Sequence, residues 1–201
     1  QKYVIIPVIA RTTSLARLKS GEPMWEWDGS LPTMVGILPR DGDAKDVRWF
    51  KGPSRNTLHF LNATDRGNKV TMELPTSSGE RDPSQIRRWT FDLGSKSDGF
   101  QEEVVSTTPG FLPRMDDRHL SLDYRYAFIS SRIPSATPDP KANPFSGGTQ
   151  VVQRLDVRTG EIKQCVVEGK IALQESCFVP RANSKDEGDG YVMTVASNFE
   201  T

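Results

Sequence analysis

The sequence predicts an all-β protein made of many short strands, on three observations. β-Branched and aromatic residues gather in short runs along most of the 201-residue chain. The 14 Pro and 16 Gly residues interrupt the chain often, which favours many short elements over long helices. Gly, Pro, Asp and Asn residues separate the runs, as they do between strands joined by turns. A β-sandwich, a barrel and a propeller all fit this pattern, and composition does not choose among them.

Strands are expected wherever such a run is bounded by turn residues. The segments are 2–9, 33–40, 46–52, 57–63, 69–76, 86–94, 102–108, 124–131, 150–167 and 190–197. In the segment 150–167, apolar residues alternate with Gln and Arg before the turn sequence RTGE, and a second apolar run follows it. This arrangement predicts a hairpin.

The remaining segments are expected to form a short helix and loops. Residues 11–21 carry a weak helical period that is too short to stand alone. Residues 77–85 and 134–148 have the composition of linkers. The second of these is rich in Pro and ends in Gly-Gly, which predicts a long surface loop rather than a domain boundary.

Opposite charges cancel in this chain, which has 26 basic and 26 acidic residues. This balance argues against nucleic acid or an anionic membrane as a partner. No apolar run approaches the roughly 20 residues that a transmembrane segment needs, and the N-terminal residues do not resemble a secretory signal.

Cys165 and Cys177 are too sparse for a disulfide scaffold, so we expect buried free thiols in a reducing, cytoplasmic compartment. Both ends look cut, as in a piece of a larger protein.

His59 is the most informative polar residue, because it interrupts an apolar run. In a strand over 57–63, His59, Leu61 and Ala63 share one face. A buried imidazole needs partners for its nitrogen atoms, and either a metal ion or a backbone hydrogen bond satisfies that need. His119, the other histidine, lies among charged residues and is expected in a solvated loop. The two histidines are too far apart in sequence for a local zinc motif.

The acidic run at 185–190 suggests two interpretations. Carboxylates are ligands for hard cations such as Ca²⁺, but the run lacks the twelve-residue loop pattern of a calcium site. It also falls where a connection between two strands belongs. A solvated hairpin turn is therefore the expected structure.

Five ordered blocks of sequence resemble the carotenoid cleavage oxygenases, a family that includes the stilbene-cleaving dioxygenases of bacteria and fungi. The blocks are ILPRDGDAKDVRWF, HFLNA, LPRMDDR followed by YRYAF, VVQRLDVRTG, and QESCFVPRANSKDEGDGYVMTV. They cover nearly the whole chain. The resemblance identifies residues 1–201 as part of a carotenoid oxygenase β-propeller domain, truncated at both ends.

The resemblance implies a fold and an activity. The fold is a seven-bladed β-propeller, of which this chain would build about three to four blades. The activity is that of a nonheme iron(II) dioxygenase, which uses O₂ to cleave a carbon–carbon double bond of a carotenoid, apocarotenoid or stilbene into two carbonyl products. The implied cofactor is Fe²⁺, held by four histidines, and the implied partners are an apolar alkene and O₂, without nucleic acid or a transmembrane segment.

Three positions correspond to functional positions of the family. His59 matches an iron-ligand histidine, and Glu175 matches a glutamate that hydrogen-bonds the far nitrogen of a ligand histidine. The family usually has another glutamate two residues before the Pro of the LPRMDDR block, and here Phe111 occupies that position. Either Glu102 or Glu103 substitutes for it, or His59 is oriented differently.

The other three ligand histidines are expected outside these 201 residues, because His119 does not match a ligand position. The chain alone would then be inactive. A non-catalytic propeller that binds or scaffolds a partner, or a truncated product without function, is the alternative. The blocks ILPRDGD and PRMDDR look closest to the stilbene-cleaving and the fungal or bacterial branches, so a phenolic stilbene or apocarotenoid is the expected substrate.

Overall fold

The computed structural model describes residues 2–79, 82–132, 150–169 and 171–198, and β-strands dominate it. The strands are β1 (Tyr3–Val8), β2 (Arg11–Thr12), β3 (Glu26–Trp27), β4 (Thr33–Pro39), β5 (Arg48–Gly52), β6 (Asn62–Arg66), β7 (Lys69–Thr76), β8 (Gln85–Asp92), β9 (Gln101–Ser106), β10 (Phe111–Met115), β11 (Tyr126–Ser131), β12 (Val151–Asp156), β13 (Ile162–Val166), β14 (Ile171–Pro180) and β15 (Gly190–Asn198). A short helix, α1 (Leu15–Lys19), is capped by the Ser14 hydroxyl, and 3₁₀ turns span Ala44–Asp46 and Asp117–His119. None of the helices in these ranges is long and apolar enough to cross a membrane.

The strands form antiparallel sheets that follow one another along the chain. The first sheet has the order β1-β4-β5, the second β6-β7-β8-β9 and the third β10-β11-β12-β13. β14 and β15 form a further hairpin, and β2 pairs with β3 in a two-residue ladder. In the second and third sheets every strand pairs with its successor in sequence, so each sheet is a simple meander.

The all-β class is confirmed, and most strands lie where the sequence predicts them. β7 occupies residues 69–76 as expected, and β12 and β13 form the predicted hairpin, with Gly160 at a φ of +77° in its turn. The short helix lies inside the segment 11–21. The sheets of this chain are open, and the number of blades in the whole protein stays a prediction.

Two expectations about local structure were wrong, and the strands β2, β3, β10 and β14 lie outside the predicted segments. The strand expected at 57–63 begins only at Asn62, because the preceding residues cross from one sheet to the next. β10 was not predicted, since Pro113 interrupts its apolar run and Leu112 has a left-handed φ of +49°. Cys165 and Cys177 are free thiols, as expected, but they are exposed rather than buried. The expected long loop at 134–148 lies outside the described residues.

Successive sheets pack face to face. A first core joins the first and second sheets; its fully buried members include Val35, Phe50, Leu74, Trp89 and Phe91. A second core joins the second and third sheets; it contains Leu61, Ile86, Met115, Tyr124, Ala127, Ile129 and Leu155. Phe128 and Phe178 stack with ring centroids 5.2 Å apart and join the third sheet to β14. The second and third sheets are therefore covered on both faces.

Polar side chains bridge the interface between the second and third sheets. Glu73, only 5% exposed, points from β7 toward the third sheet. It accepts hydrogen bonds from the Tyr124 hydroxyl and from Arg88 Nε, the latter at 2.7 Å. Burial, together with the adjacent Glu73 carboxylate, raises the pKa of the Tyr124 phenol well above its usual value. Tyr124 therefore stays a hydrogen-bond donor.

The acidic run at 185–190 forms the connection between β14 and β15, as expected. Glu187 accepts hydrogen bonds from the backbone N–H groups of Arg125 and Tyr126, at 2.5 and 2.9 Å. Arg118 donates to the backbone carbonyls of Ser184 and Asp186, at 2.7 and 3.2 Å. The run therefore docks the last hairpin on the third sheet.

Replacing Tyr124 with Phe should destabilise the protein by about 1.5–3 kcal/mol, the usual contribution of a hydrogen bond to a charged group. The loss leaves one buried Glu73 oxygen without its donor. Urea unfolding of the full-length protein measures the change. Tyr126→Phe is the control, because among the described residues the Tyr126 hydroxyl has no hydrogen-bond partner. Equal effects of the two substitutions would contradict the assigned role of Tyr124.

Asp156 should make stability depend on pH in the acid range. Its carboxylate accepts from Arg125 Nε at 2.8 Å and from the backbone N–H of Arg158 at 3.0 Å, and these contacts lower its pKa to about 2. In the unfolded chain an Asp titrates near 3.9. The stabilisation is therefore complete above about pH 4 and is lost as the pH falls toward 2. Urea midpoints between pH 6 and 2.5 should fall less steeply for Asp156→Asn than for the parent.

Candidate metal site

The candidate ligand His59 lies in an irregular segment, residues 53–61, that leads from β5 to β6. The segment passes along the end of the second sheet from its β9 side to its β6 side. An isolated bridge pairs Asn56 with Ser77, just beyond β7, and Leu61 N–H donates to the Glu73 carbonyl at 2.8 Å. Leu58 and Phe60 are 62% and 44% exposed, whereas His59 is partly buried. The alternation of exposed and buried side chains that was expected for this run therefore persists, although the run is not a regular strand.

The His59 imidazole makes no hydrogen bond or ion pair with any other residue that the structure describes. The hydrogen bond at His59 is made by its backbone carbonyl, which accepts from the Thr57 hydroxyl at 3.3 Å. A partly buried imidazole with both nitrogen atoms unpaired is suited to act as a metal ligand, since neutral imidazole binds iron(II) and similar ions. The residue present thus fits one position of the implied iron site.

Glu102 and Glu103, the acids considered as substitutes for the one missing at Phe111, are engaged elsewhere. Glu102 accepts from Arg55, Arg87 and Trp89, with distances between 2.5 and 3.2 Å. Glu103 pairs with Arg88 at 2.6 Å. The structure therefore orients His59 without a carboxylate from β9.

The Glu102 carboxylate is charged at neutral pH despite its burial. Burial alone raises the pKa of this group, but the hydrogen bonds from Arg55 and Trp89 and the charges of Arg55 and Arg87 hold it below its usual value. The side chains of Arg55 and Glu102 are 15% and 10% exposed. Such an ion pair is screened little by salt.

Asn62 fixes the other end of the segment. Its buried amide donates to the Leu122 carbonyl at 3.0 Å and accepts from the Ser121 N–H at 2.9 Å. Ser121 has a φ of +62°, which the two hydrogen bonds hold in place. The Asn of the HFLNA block therefore joins the start of β6 to the third sheet.

Phe111 is the first residue of β10, and the ladder between β10 and β11 shifts register between Phe111 and Arg114. Leu112, at a φ of +49°, lies in this irregular stretch. Arg132 lies over the Phe111 ring, with its guanidinium carbon 5.4 Å from the ring centroid. An aromatic ring beneath a cation thus occupies the position where the resemblance implies a carboxylate.

Glu175 lies in β14 and is exposed. Its nearest charged partner is Arg114 in β10, at 3.7 Å, with both side chains well exposed to solvent. A contact of this length is a weak surface ion pair. The carboxylate is therefore free to accept a further hydrogen bond.

His59, Phe111 and Glu175 occupy related places in the fold. His59 precedes the first strand of the second sheet, Phe111 opens the first strand of the third, and Glu175 lies in the first strand of the last hairpin. The structure gives no direct contact among the three. Within the described ranges, no group of three or more His, Cys, Asp or Glu side chains could hold a metal ion.

His119 is separate from these positions, as expected. It lies in a 3₁₀ turn, where its Nδ1 is 3.0 Å from the Asp123 carbonyl. A polar cavity of about 360 Å³ lies nearby, between the second and third sheets. Asn62, Glu73 and Tyr124 line this cavity and His59 does not, so it is not a space in which a substrate would meet His59.

The sequence analysis missed the roles of Arg55 and Asn62. The partners of Arg55 lie in β4 and β9 and those of Asn62 in a turn of the third sheet, so no local pattern relates them. Asn62 had one available signal, since it belongs to the HFLNA block. Arg55 had none.

The family model of the retinal pigment epithelial membrane protein matches residues 1–201. Isoeugenol monooxygenase of Pseudomonas putida is 30% identical over 218 residues, which cover 100% of this chain and 45% of the relative. Lignostilbene-alpha,beta-dioxygenase isozyme III of Sphingomonas paucimobilis is 30% identical over 223 residues, with the same coverage. Carotenoid cleavage oxygenase 1 of Neurospora crassa is 29% identical and is covered over 43% of its length. The chain spans less than half the length of these relatives.

Solved structures agree with this relationship. The crystal structure of lignostilbene dioxygenase from Pseudomonas brassicacearum superposes with a TM-score of 0.83 at 31% identity, over 98% of this chain and 45% of the other. The cobalt-substituted Synechocystis enzyme ACO superposes with a TM-score of 0.79 at 17% identity, over 97% of this chain and 42% of the other, and so shares the fold. Since the family model extends over every residue, the chain belongs to the family of the retinal pigment epithelial membrane protein and the carotenoid cleavage oxygenases.

Proposed function

We propose that the protein containing this chain is a nonheme iron(II) dioxygenase that cleaves a carbon–carbon double bond of a stilbene, carotenoid or apocarotenoid. The observation that carries the proposal is the unpaired, partly buried His59 imidazole within a chain of this family. The names of the relatives support an oxidative reaction, since they include a lignostilbene dioxygenase and a carotenoid cleavage oxygenase. They do not favour a non-catalytic scaffold.

The proposed reaction balances without an added reductant. The double bond breaks, each of its carbons takes one atom of O₂, and two carbonyl products result. Bound iron would supply the binding and activation of O₂. No organic cofactor is then required, and the protein holds the metal, orients the alkene and excludes water.

His59 would supply one ligand to the iron through a neutral imidazole nitrogen. The other ligands would come from histidines outside these 201 residues. Glu175 would accept a hydrogen bond from the far nitrogen of one of those histidines and so fix its tautomer and orientation. Its long contact with Arg114 leaves its oxygens available for this role.

The proposed substrate is a phenolic stilbene or an apocarotenoid. Several relatives are named for phenolic alkenes, namely isoeugenol, lignostilbene and resveratrol. In such molecules the double bond is conjugated to an aromatic ring.

Replacing His59 with Ala in the full-length protein should lower its iron content and abolish O₂ uptake with a stilbene substrate. Loss of an outer-shell partner already costs about 10- to 100-fold in metal affinity, so loss of a ligand should cost at least as much. Metal analysis after dialysis against a chelator measures the first effect, and an oxygen electrode measures the second.

His119→Ala is the control for this experiment, because His119 is bound to its own turn. It should retain iron and activity like the parent. Equal iron content in the parent and in His59→Ala would refute the ligand assignment.

Replacing Glu175 with Gln should weaken iron binding by about 10- to 100-fold without a matching loss of folding stability. The side chain is exposed and its one ion pair is long, so the fold depends on it little. Chelator competition measures the affinity, and thermal unfolding of the metal-free protein measures stability. Glu161→Gln, an exposed acid in the β12–β13 turn, should change neither.

A further inference from the structure

The segment that carries His59 has few regular hydrogen bonds. Between β5 and β6 the chain forms no regular ladder with the second sheet. Asn56 pairs with Ser77, the Thr57 hydroxyl donates to the Pro75 carbonyl at 2.8 Å, and Leu61 N–H donates to the Glu73 carbonyl at 2.8 Å. Leu58 and Phe60 on either side of His59 are exposed and contribute little packing. The position of the imidazole therefore depends on these isolated contacts and on the side-chain anchors at the two ends of the segment.

Arg55 is the anchor that is held by an ion pair. Its Nε donates to Glu102 Oε2 at 2.9 Å and its Nη2 to Glu102 Oε1 at 2.5 Å, so the guanidinium and the carboxylate form a two-pronged pair. Its backbone N–H donates to the Thr33 hydroxyl at 3.0 Å. Both the main chain and the side chain of this residue are thereby fixed.

Glu102 is itself held rigidly from the second sheet. Arg87 Nη1 donates to Oε1 at 2.7 Å, and the indole N–H of Trp89 donates to Oε2 at 2.8 Å. Trp89 is fully buried in the core between the first and second sheets. Arg55 is therefore tied to the packed core of the sheet rather than to an exposed surface group.

We propose that Arg55 and Glu102 form a positioning pair that sets the location of the His59 imidazole at the metal. This inference rests on the proposed function. Neither residue touches the metal; the pair acts through the three residues that separate Arg55 from His59. It takes the place of direct orientation by an acid, since Phe111 occupies the position of the family glutamate.

A comparison of two arginines tests the proposal in the full-length protein. Arg55 and Arg87 contact the same carboxylate and are similarly buried, with side chains 15% and 18% exposed. Arg55 belongs to the His59 segment, whereas Arg87 belongs to β8. Arg55→Lys and Arg87→Lys each keep the charge and remove the planar fork.

The probe is Co²⁺, loaded into the metal-free protein, whose visible absorption bands report ligand geometry. Arg55→Lys should release Co²⁺ to a chelator about tenfold faster than the parent and shift the absorption bands, as loss of an outer-shell partner does. Arg87→Lys should change both readouts less than Arg55→Lys does, even where thermal unfolding shows that it is less stable, because Trp89 still holds Glu102 and the pair between Arg55 and Glu102 remains. Parental release and spectra for Arg55→Lys, or equal changes in both variants, would overturn the proposal.

A second pair of variants applies if Arg55→Lys does not fold cooperatively. Glu102→Gln keeps the side-chain volume and one carbonyl acceptor but removes the negative charge. Glu103→Gln is its control, because the Glu103 side chain is 60% exposed and pairs with Arg88. The first should alter Co²⁺ release and spectrum and the second should not. His59→Ala, run in parallel, tests the proposed ligand itself. Unchanged Co²⁺ binding in that variant would refute the proposed function separately from the positioning pair.

Discussion

Burial of the second sheet on both faces is the constraint on which the rest of the structure depends. Its strands face the first sheet with Val70, Met72 and Leu74 and face the third sheet with Glu73. A polar group in such a position is costly unless it is fully hydrogen-bonded. The Tyr124 hydroxyl and the Arg88 guanidinium supply those bonds to Glu73, so the polar contacts between sheets hold their relative position as well as satisfying the buried atoms.

The same constraint decides where functional side chains lie. Since both faces of the inner sheets are packed, a residue that must meet a ligand has to lie at the end of a sheet or on its edge strand. His59 lies at the end of the second sheet, and Glu175 is exposed on the first strand of the final hairpin. The ends and edge strands of the sheets can therefore meet a ligand, because the middle strands of each sheet are buried by packing.

Local patterns in the sequence predicted the parts of the fold that local forces determine. β7 and the β12–β13 hairpin follow from β-branched runs and a Gly-bearing turn, and the structure has both. The start of β6 did not follow, because residues 57–61 have strand composition but form only isolated hydrogen bonds with β7. β10 was hidden by Pro113 and by the irregular backbone at Leu112. In both places tertiary position overrides local propensity.

The residues of the candidate site also differ in whether the sequence alone could identify them. His59 was found from the HFLNA block and from its place in an apolar run. A periodic pattern could not have related Arg55 to Glu102, since they come from different sheets and their pairing is a product of the fold. Asn62 shows an intermediate case, in which a block identifies the residue but only the structure gives its partners. Residues that touch a ligand leave a signature in sequence more readily than residues that hold them in place.

Phe111 gives a functional consequence to this difference between residues that touch a ligand and residues that hold them in place. An imidazole can be oriented by an acceptor on its far nitrogen, or by a backbone held in one place. In this chain an aromatic ring stands where the resemblance implies an acceptor, and the nearest acids considered, Glu102 and Glu103, are bound to arginines. Orientation of His59 then has to come from its backbone. In the irregular segment before the histidine, Arg55 donates to the same carboxylate that Trp89 holds from the core. Glu102, which the sequence offered as a direct partner of the imidazole, would thus act on His59 indirectly, through Arg55 and the backbone that joins Arg55 to His59.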